Sequence, residues 1–149
     1  MGAIVCRKGH EITRFPQHFE GPTKFCPNCG SPAVTACETC GAAIPPGDLI
    51  YDWTPPTYCG QCGSPWPWTA ASLASASELI DMLDGLTDEE RQALKGTLGD
   101  LVVDTPGTEV AAMKFSLLAR KASQEGGRAL RTIVTSVATE AAKRLILGP

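Results

Sequence analysis

Four pairs of potential metal ligands, packed into less than half of the chain, constrain this sequence more than any other feature: Cys6/His10, Cys26/Cys29, Cys37/Cys40 and Cys59/Cys62. The last three are C-x-x-C turns, each followed directly by glycine (Gly30, Gly41, Gly63). A C-x-x-C turn aims two sulfurs at one point. The chain must then double back, and glycine can adopt the positive φ this demands without a steric cost. Cys6-Arg7-Lys8-Gly9-His10 is a looser version, with Gly9 just before the ligand.

Eight ligands make two four-coordinate sites, and tetrahedral sulfur/nitrogen coordination is the preference of zinc. Sequential pairing assigns Cys6, His10, Cys26 and Cys29 to one site and Cys37, Cys40, Cys59 and Cys62 to the other, hence two Zn2+ per chain. The loops 11–25 and 41–58 can each hold a short hairpin, whereas pairing the two middle knuckles leaves only residues 30–36 between them. Spacing leaves interleaved or nested pairing open, as it does iron in the all-cysteine site and His18 in place of His10. Seven cysteines, an odd number, fit disulfides poorly. The N-terminus lacks the pattern of a signal peptide, and no segment has the roughly 18 apolar residues of a transmembrane helix. The expectation is a cytoplasmic protein, where dense cysteine means metal.

With every position of both metals filled, the sites read as structural. No cysteine is spare as a nucleophile, and the deaminase signature and phosphate-binding loops are absent, so no enzyme is expected. Asp100 and Asp104 are the best catalytic carboxylates on offer, and they read as loop acids or a helix cap. A ribbon of about 30 residues cannot bury enough core to fold unaided; the metal supplies the folding energy.

The composition changes near Pro65–Thr69. All seven cysteines and eight of the twelve prolines precede it, and Ala, Leu and Ser dominate after it. The expected fold is thus a small zinc-stabilised β portion, tandem zinc ribbons over residues 1–68, followed by an α-helical domain of three to four helices over 69–149. Trp66 and Trp68 stand at the junction, read as packing ribbon against helices. Thr69 caps a predicted helix to about Leu83, with Leu73, Ala76, Ile80 and Leu83 on one face. Thr87-Asp88-Glu89-Glu90 is a capping box starting a short helix that Gly96 weakens or ends, with 99–105 as loop. Thr105-Pro106 opens the next helix, whose apolar face is Val110, Met113, Leu117 and Leu118, and Gly126-Gly127 breaks it. The last helix runs from about Arg128 to Leu147, with Leu130, Ile133, Val134, Val137, Ala141 and Leu145 on one side.

Charge bears on partners. The chain carries a net −3. Residues 78–109 hold nine acids against Arg91 and Lys95, and residues 110–149 hold seven bases against Glu125 and Glu140, so these segments are expected to attract each other. Residues 1–68 have four bases and five acids, a poor match to a phosphate backbone, where affinity scales with phosphates neutralised. A protein-interaction adaptor is the expected function, its contacts offered by the Pro-rich, aromatic stretch from Ile44 to Trp68 and by the helices. Nucleic-acid binding is the alternative, and membrane contact through the final helix is not expected.

The motifs in this order resemble a bacterial family of uncharacterised proteins with an N-terminal double zinc ribbon and a helical C-terminal region. The resemblance rests on Cys6-Arg7-Lys8-Gly9-His10, Phe25-Cys26-Pro27-Asn28-Cys29-Gly30 and Cys37-Glu38-Thr39-Cys40. It continues through the run from Pro55 to Thr69 and through Asp100-Leu101-Val102-Val103-Asp104-Thr105-Pro106. Trp66 stands where a tyrosine is expected. The resemblance implies bacterial origin and zinc at the eight positions above, and it brings no activity with it.

Overall fold

The structure is a computed structural model that describes residues 2–18, 23–48 and 52–148. Phe19 and residues 49–51 of the Pro-rich stretch lie outside the described residues. The chain forms two compact units, Met1–Ala71 and Ser72–Pro149.

The first unit is built on a three-stranded antiparallel sheet in the order β2-β1-β3: β1 (Ile4–Cys6), β2 (Glu11–Thr13) and β3 (Ala33–Val34). Val5 in the centre pairs with Glu11 on one side and Val34 on the other, and a bulge follows Ile4. Around this sheet the chain repeats one local design. Single antiparallel bridges, Phe25 with Pro32, Ala36 with Ala43 and Tyr58 with Pro65, each close the hairpin that carries a C-x-x-C pair. Little apolar matter supports them: Ala3, Val5, Val34, Ile44, Trp66 and Trp68 are buried together with Cys37 and Cys59. The two tryptophans stack with ring centroids 5.3 Å apart and planes 4° from parallel. Their rings belong to the core of this unit, and the Trp68 indole N–H donates to the Pro56 carbonyl at 2.9 Å.

Five helices follow among the described residues: α1 (Pro67–Met82), α2 (Asp88–Leu101), α3 (Thr108–Ala119), α4 (Gln124–Thr135) and α5 (Glu140–Leu147). The boundary between the units falls within α1. The second unit's core is continuous, and its largest fully buried members include Ile80, Leu94, Leu101, Phe115 and Leu130. The capping box at Thr87 forms: Thr87 N–H donates to Glu90 Oε2 at 3.0 Å, and Glu90 N–H donates to Thr87 Oγ1 at 3.1 Å. The opposite charges of the two segments meet where Lys121 pairs with Glu90.

Several expectations are corrected here. The first helix starts at Pro67, two residues before Thr69. Neither Gly96 nor Gly99 ends α2, because burial of Leu94, Leu98 and Leu101 carries the helix past both. Asp100 is therefore helical, while Asp104 stays in the loop. Thr105 and Pro106 precede α3 in a turn held by Thr105 N–H on Thr108 Oγ1 (2.9 Å) and Thr108 Oγ1 on the Val103 carbonyl (2.6 Å). The buried face of α3 is Ala111, Ala112, Phe115 and Ala119; Val110, Met113 and Leu117 are exposed. Gly126 and Gly127 do not break a helix. They sit in the first turn of α4 behind the Ser123 cap, and their lack of a side chain admits Leu83 at Gly126 and the Ala119 carbonyl at Gly127. The expected final helix is two, divided where Thr139 caps α5. Leu130 and Val134 are buried as expected, but in α5 the core residues are Ala142 and Ile146, and Ala141 and Leu145 face solvent.

Candidate metal centres

The three C-x-x-C turns are superimposable in their hydrogen bonding. The first cysteine's N–H donates to the carbonyl five residues on: Cys26 to Ser31 (2.8 Å), Cys37 to Ala42 (2.7 Å), Cys59 to Ser64 (2.8 Å). The trailing glycine's N–H returns to that cysteine's carbonyl at 2.8, 2.8 and 2.9 Å for Gly30, Gly41 and Gly63. Closing this loop requires the glycine in the left-handed region, and the three φ values are 73°, 80° and 76°. The Cys6–His10 turn is a variant in which Cys6 N–H donates to the His10 carbonyl at 3.0 Å and Gly9 N–H returns to Cys6 at 2.9 Å.

Folding brings the eight side chains into two groups of four. Cys6, His10, Cys26 and Cys29 form one, and Cys37, Cys40, Cys59 and Cys62 the other, the donor atoms of each lying within 4.8 Å of one another. The grouping is the sequential one, and among the described residues His18, at the end of a 3-10 turn (Pro16–His18), belongs to neither. In the first group His10 presents Nδ1, 3.3 Å from Cys29 Sγ, 3.5 Å from Cys6 Sγ and 3.8 Å from Cys26 Sγ, and the Cys6 and Cys29 sulfurs are 3.7 Å apart. In the second, Cys37–Cys62 and Cys40–Cys59 are both 3.7 Å.

Those separations can be tested against a metal. With zinc–sulfur bonds of about 2.3 Å and zinc–nitrogen bonds of about 2.0–2.1 Å, a tetrahedral ion places two sulfurs about 3.8 Å apart and a sulfur and a nitrogen about 3.6 Å apart. A disulfide would need about 2.05 Å, and all seven cysteines are free. Both groups thus fit one tetrahedral ion each, with no position left over for water or substrate.

The thiols themselves call for a cation. The Ser31 hydroxyl and N–H both point at Cys29 and bring its pKa down to about 6, and Ser64 does the same for Cys62, also to about 6. The N–H groups of Cys40 and Thr39 lower Cys37 as well. Cys40 goes the other way: the Ala42 N–H lowers it, but desolvation and the neighbouring sulfurs Cys62, Cys59 and Cys37 prevail and push it up to about 12. Burial raises Cys6 in the first group. Four sulfurs this close cannot all carry charge unless something positive sits between them.

Two supporting features escape a reading that stops at the ligands. Ser31 and Ser64 could have been found, because Cys-x-x-Cys-Gly-Ser occurs at both 26–31 and 59–64. The other is the ion pair between Arg7, in the first turn, and Glu38, in the third, which ties the two centres together; nothing in the spacing of those residues announces it.

The family model described as an uncharacterized protein conserved in bacteria (DUF2321) matches residues 1–146. No match is found among curated proteins or among solved structures.

Proposed function

Taking as premise that this chain belongs to that bacterial family, we propose that it is a non-catalytic zinc protein in which two structural Zn2+ ions hold an interaction module in shape. One observation carries the reading. Every cysteine of the chain falls into one of two closed, tetrahedrally spaced ligand sets, which leaves neither a coordination site nor a thiol for chemistry. Zinc is favoured at the first set because a histidine completes it; the tetrahedral spacing of the four-cysteine set suits zinc and iron alike, and the elemental analysis below separates them.

The adaptor role draws support from the surface. Phe25, beside the second turn, is 61% exposed, and Met82, Val110, Met113, Leu117, Leu145 and Leu147 are also exposed large apolar side chains. Of these, Val110 and Leu117 line one solvent-open groove, and an exposed apolar patch is the kind of surface a protein partner covers. Nucleic-acid binding draws less support, since two of the four bases in residues 1–68 are engaged within the fold, Arg7 with Glu38 and Arg14 with Glu11.

Elemental analysis of the purified full chain tests the metal: the expected content is two zinc per chain, lost together with seven free thiols' protection from alkylation when a strong chelator is added. One metal per chain, or thiols equally reactive with and without metal, overturns the assignment. Retention on DNA or RNA columns that falls steeply with salt would move the function from adaptor to nucleic-acid binder.

A further inference from the structure

The two ligand sets differ in what they show to solvent. In the first, the exposed ligand is a nitrogen: His10 is exposed, Cys6 and Cys26 are buried at 0% and 3%, and Cys29 is half-buried. In the second, both exposed ligands are sulfurs. Cys40 and Cys62 are open to solvent, while Cys37 and Cys59 are buried at 7% and 4%. An oxidant arriving from water therefore meets imidazole at one centre and sulfur at the other. A metal-binding cysteine is a thiolate, and oxidation of cysteine follows thiolate character and access.

The two exposed sulfurs are not equivalent. The residue after the turn glycine is Ser31 in the first C-x-x-C turn and Ser64 in the third, but Ala42 in the second. The Ser64 hydroxyl and N–H both bond to Cys62. Cys40 keeps the equivalent N–H, from Ala42, and lacks the hydroxyl. A hydrogen bond to a thiolate draws charge from the sulfur and makes it a poorer nucleophile, so Cys40 is the more reactive of the pair. It also has a partner in place. Cys59 Sγ lies 3.7 Å away, and an approach of about 1.7 Å brings the two to the disulfide length of about 2.05 Å.

We infer that the four-cysteine centre is a site of oxidative modification, at which Cys40 reacts with a hydroperoxide, Cys59 closes a disulfide onto it, and Zn2+ is released while the first centre keeps its ion. The inference rests on the zinc reading above and needs no free thiol, because the ligands themselves react. The Cys40 thiolate attacks one oxygen of hydrogen peroxide, the O–O bond breaks, hydroxide leaves, and Cys40 becomes a sulfenic acid. The Cys59 thiolate then attacks that sulfur, forming the S–S bond and expelling a second hydroxide. Two electrons have passed from the two sulfurs to the peroxide. Cys37 and Cys62 remain, half of a tetrahedral set and too few to hold the ion. A thiol reductant returns the two electrons and restores the site.

The test uses the full chain loaded with zinc and treated with hydrogen peroxide. A chromophoric chelator too weak to strip the untreated protein reports released metal, and differential alkylation with tandem mass spectrometry locates the oxidised cysteines. One zinc per chain is expected to leave first, together with formation of a Cys40–Cys59 disulfide, while Cys6, Cys26 and Cys29 stay reduced and the other ion stays bound. Dithiothreitol with added zinc should return the chain to two ions. Ala42→Ser supplies the hydroxyl found in the other two turns and should slow the release by about 2- to 3-fold. The order of release and the identity of the bridge test the site in the wild-type chain, whatever the variant does to folding. A chain that holds fewer than two zinc ions before any oxidant is added removes the metal reading and this inference with it. A chain that holds two, but loses the first from the Cys6/His10/Cys26/Cys29 set, loses both at one rate, or bridges Cys37 to Cys62 first, overturns this inference alone, as does a folded Ala42→Ser chain that releases zinc at the wild-type rate.

Discussion

Substituting Gly63 by alanine should weaken the metal at the four-cysteine centre alone, and by an amount the backbone sets. Gly63 sits at φ 76°, held there by its N–H bond to the Cys59 carbonyl. No atom lies within 4 Å of the Cβ that the substitution adds, so no clash contributes. What remains is the intrinsic cost of an L-residue in the left-handed region, about 1–2 kcal/mol. The turn is needed only when the metal is bound, so the cost appears in affinity, as roughly a 5- to 30-fold rise in dissociation constant. Gly60 offers a control within the same turn: it too has open space around its Cβ, and it is not among the positive-φ glycines. Gly60→Ala carries the same loss of unfolded-chain freedom as Gly63→Ala, so the ratio of the two variants isolates the conformational term. Stepwise competition against a chromophoric chelator of known affinity resolves the two metals. Gly63→Ala should shift one step and leave the Cys6/His10/Cys26/Cys29 step unchanged. Equal affinities for Gly63→Ala and Gly60→Ala, or a shift in both steps, would refute the argument that the left-handed turn is what organises the sulfurs.

Other outcomes follow from the helical unit. Phe115 is fully buried, and Phe115→Ala should cost about 3–5 kcal/mol by urea denaturation while zinc content stays at the wild-type value. Thr87→Ala removes the hydroxyl that accepts from Glu90 N–H and should cost about 1 kcal/mol in the same assay. The Lys121 ammonium beside Glu90, with the Thr87 N–H, lowers the carboxyl below its ordinary value. A depressed carboxylate stabilises the fold above its unfolded pKa, and this contribution fades as pH falls through the folded one. Glu90→Gln keeps the capping geometry but loses the charge, so its stability deficit against wild type should be present at neutral pH and vanish toward strongly acidic pH; a deficit that persists there would deny the ion pair its role.

How far the sequence speaks depends on the range of the forces involved. The knuckles were legible because a metal turn is local: two donors, a glycine and a returning N–H all lie within six residues, as in Cys26–Ser31. The Thr87 capping box was legible for the same reason. Helix ends governed by packing were not. Gly126 and Gly127 read as breakers on propensity alone, yet they sit inside α4 where Leu83 and the Ala119 carbonyl approach closely. An apolar pattern of Val110, Met113, Leu117 and Leu118 points to one face of α3, but of these only Leu118 packs against the core. The core instead takes the alanines Ala111, Ala112 and Ala119 around Phe115, since helices packed this tightly admit only small side chains at most contact positions.

In the first unit, a core of few residues surrounds the stacked Trp66 and Trp68 beside two candidate metal centres, so on the proposed reading its shape is expected to depend on metal supply. In the second, a continuous apolar core is expected to carry the stability. Chelation should therefore abolish the near-ultraviolet signal of the stacked tryptophans while leaving most helical ellipticity in place. Because Trp53, Trp66 and Trp68 all lie in the first unit, the two signals report on separate units without labelling. If chelation removed both together, with the same dependence on chelator concentration, the helical unit would owe its fold to the metals, and a division of labour between a metal-held ribbon and an autonomous helical unit would not hold.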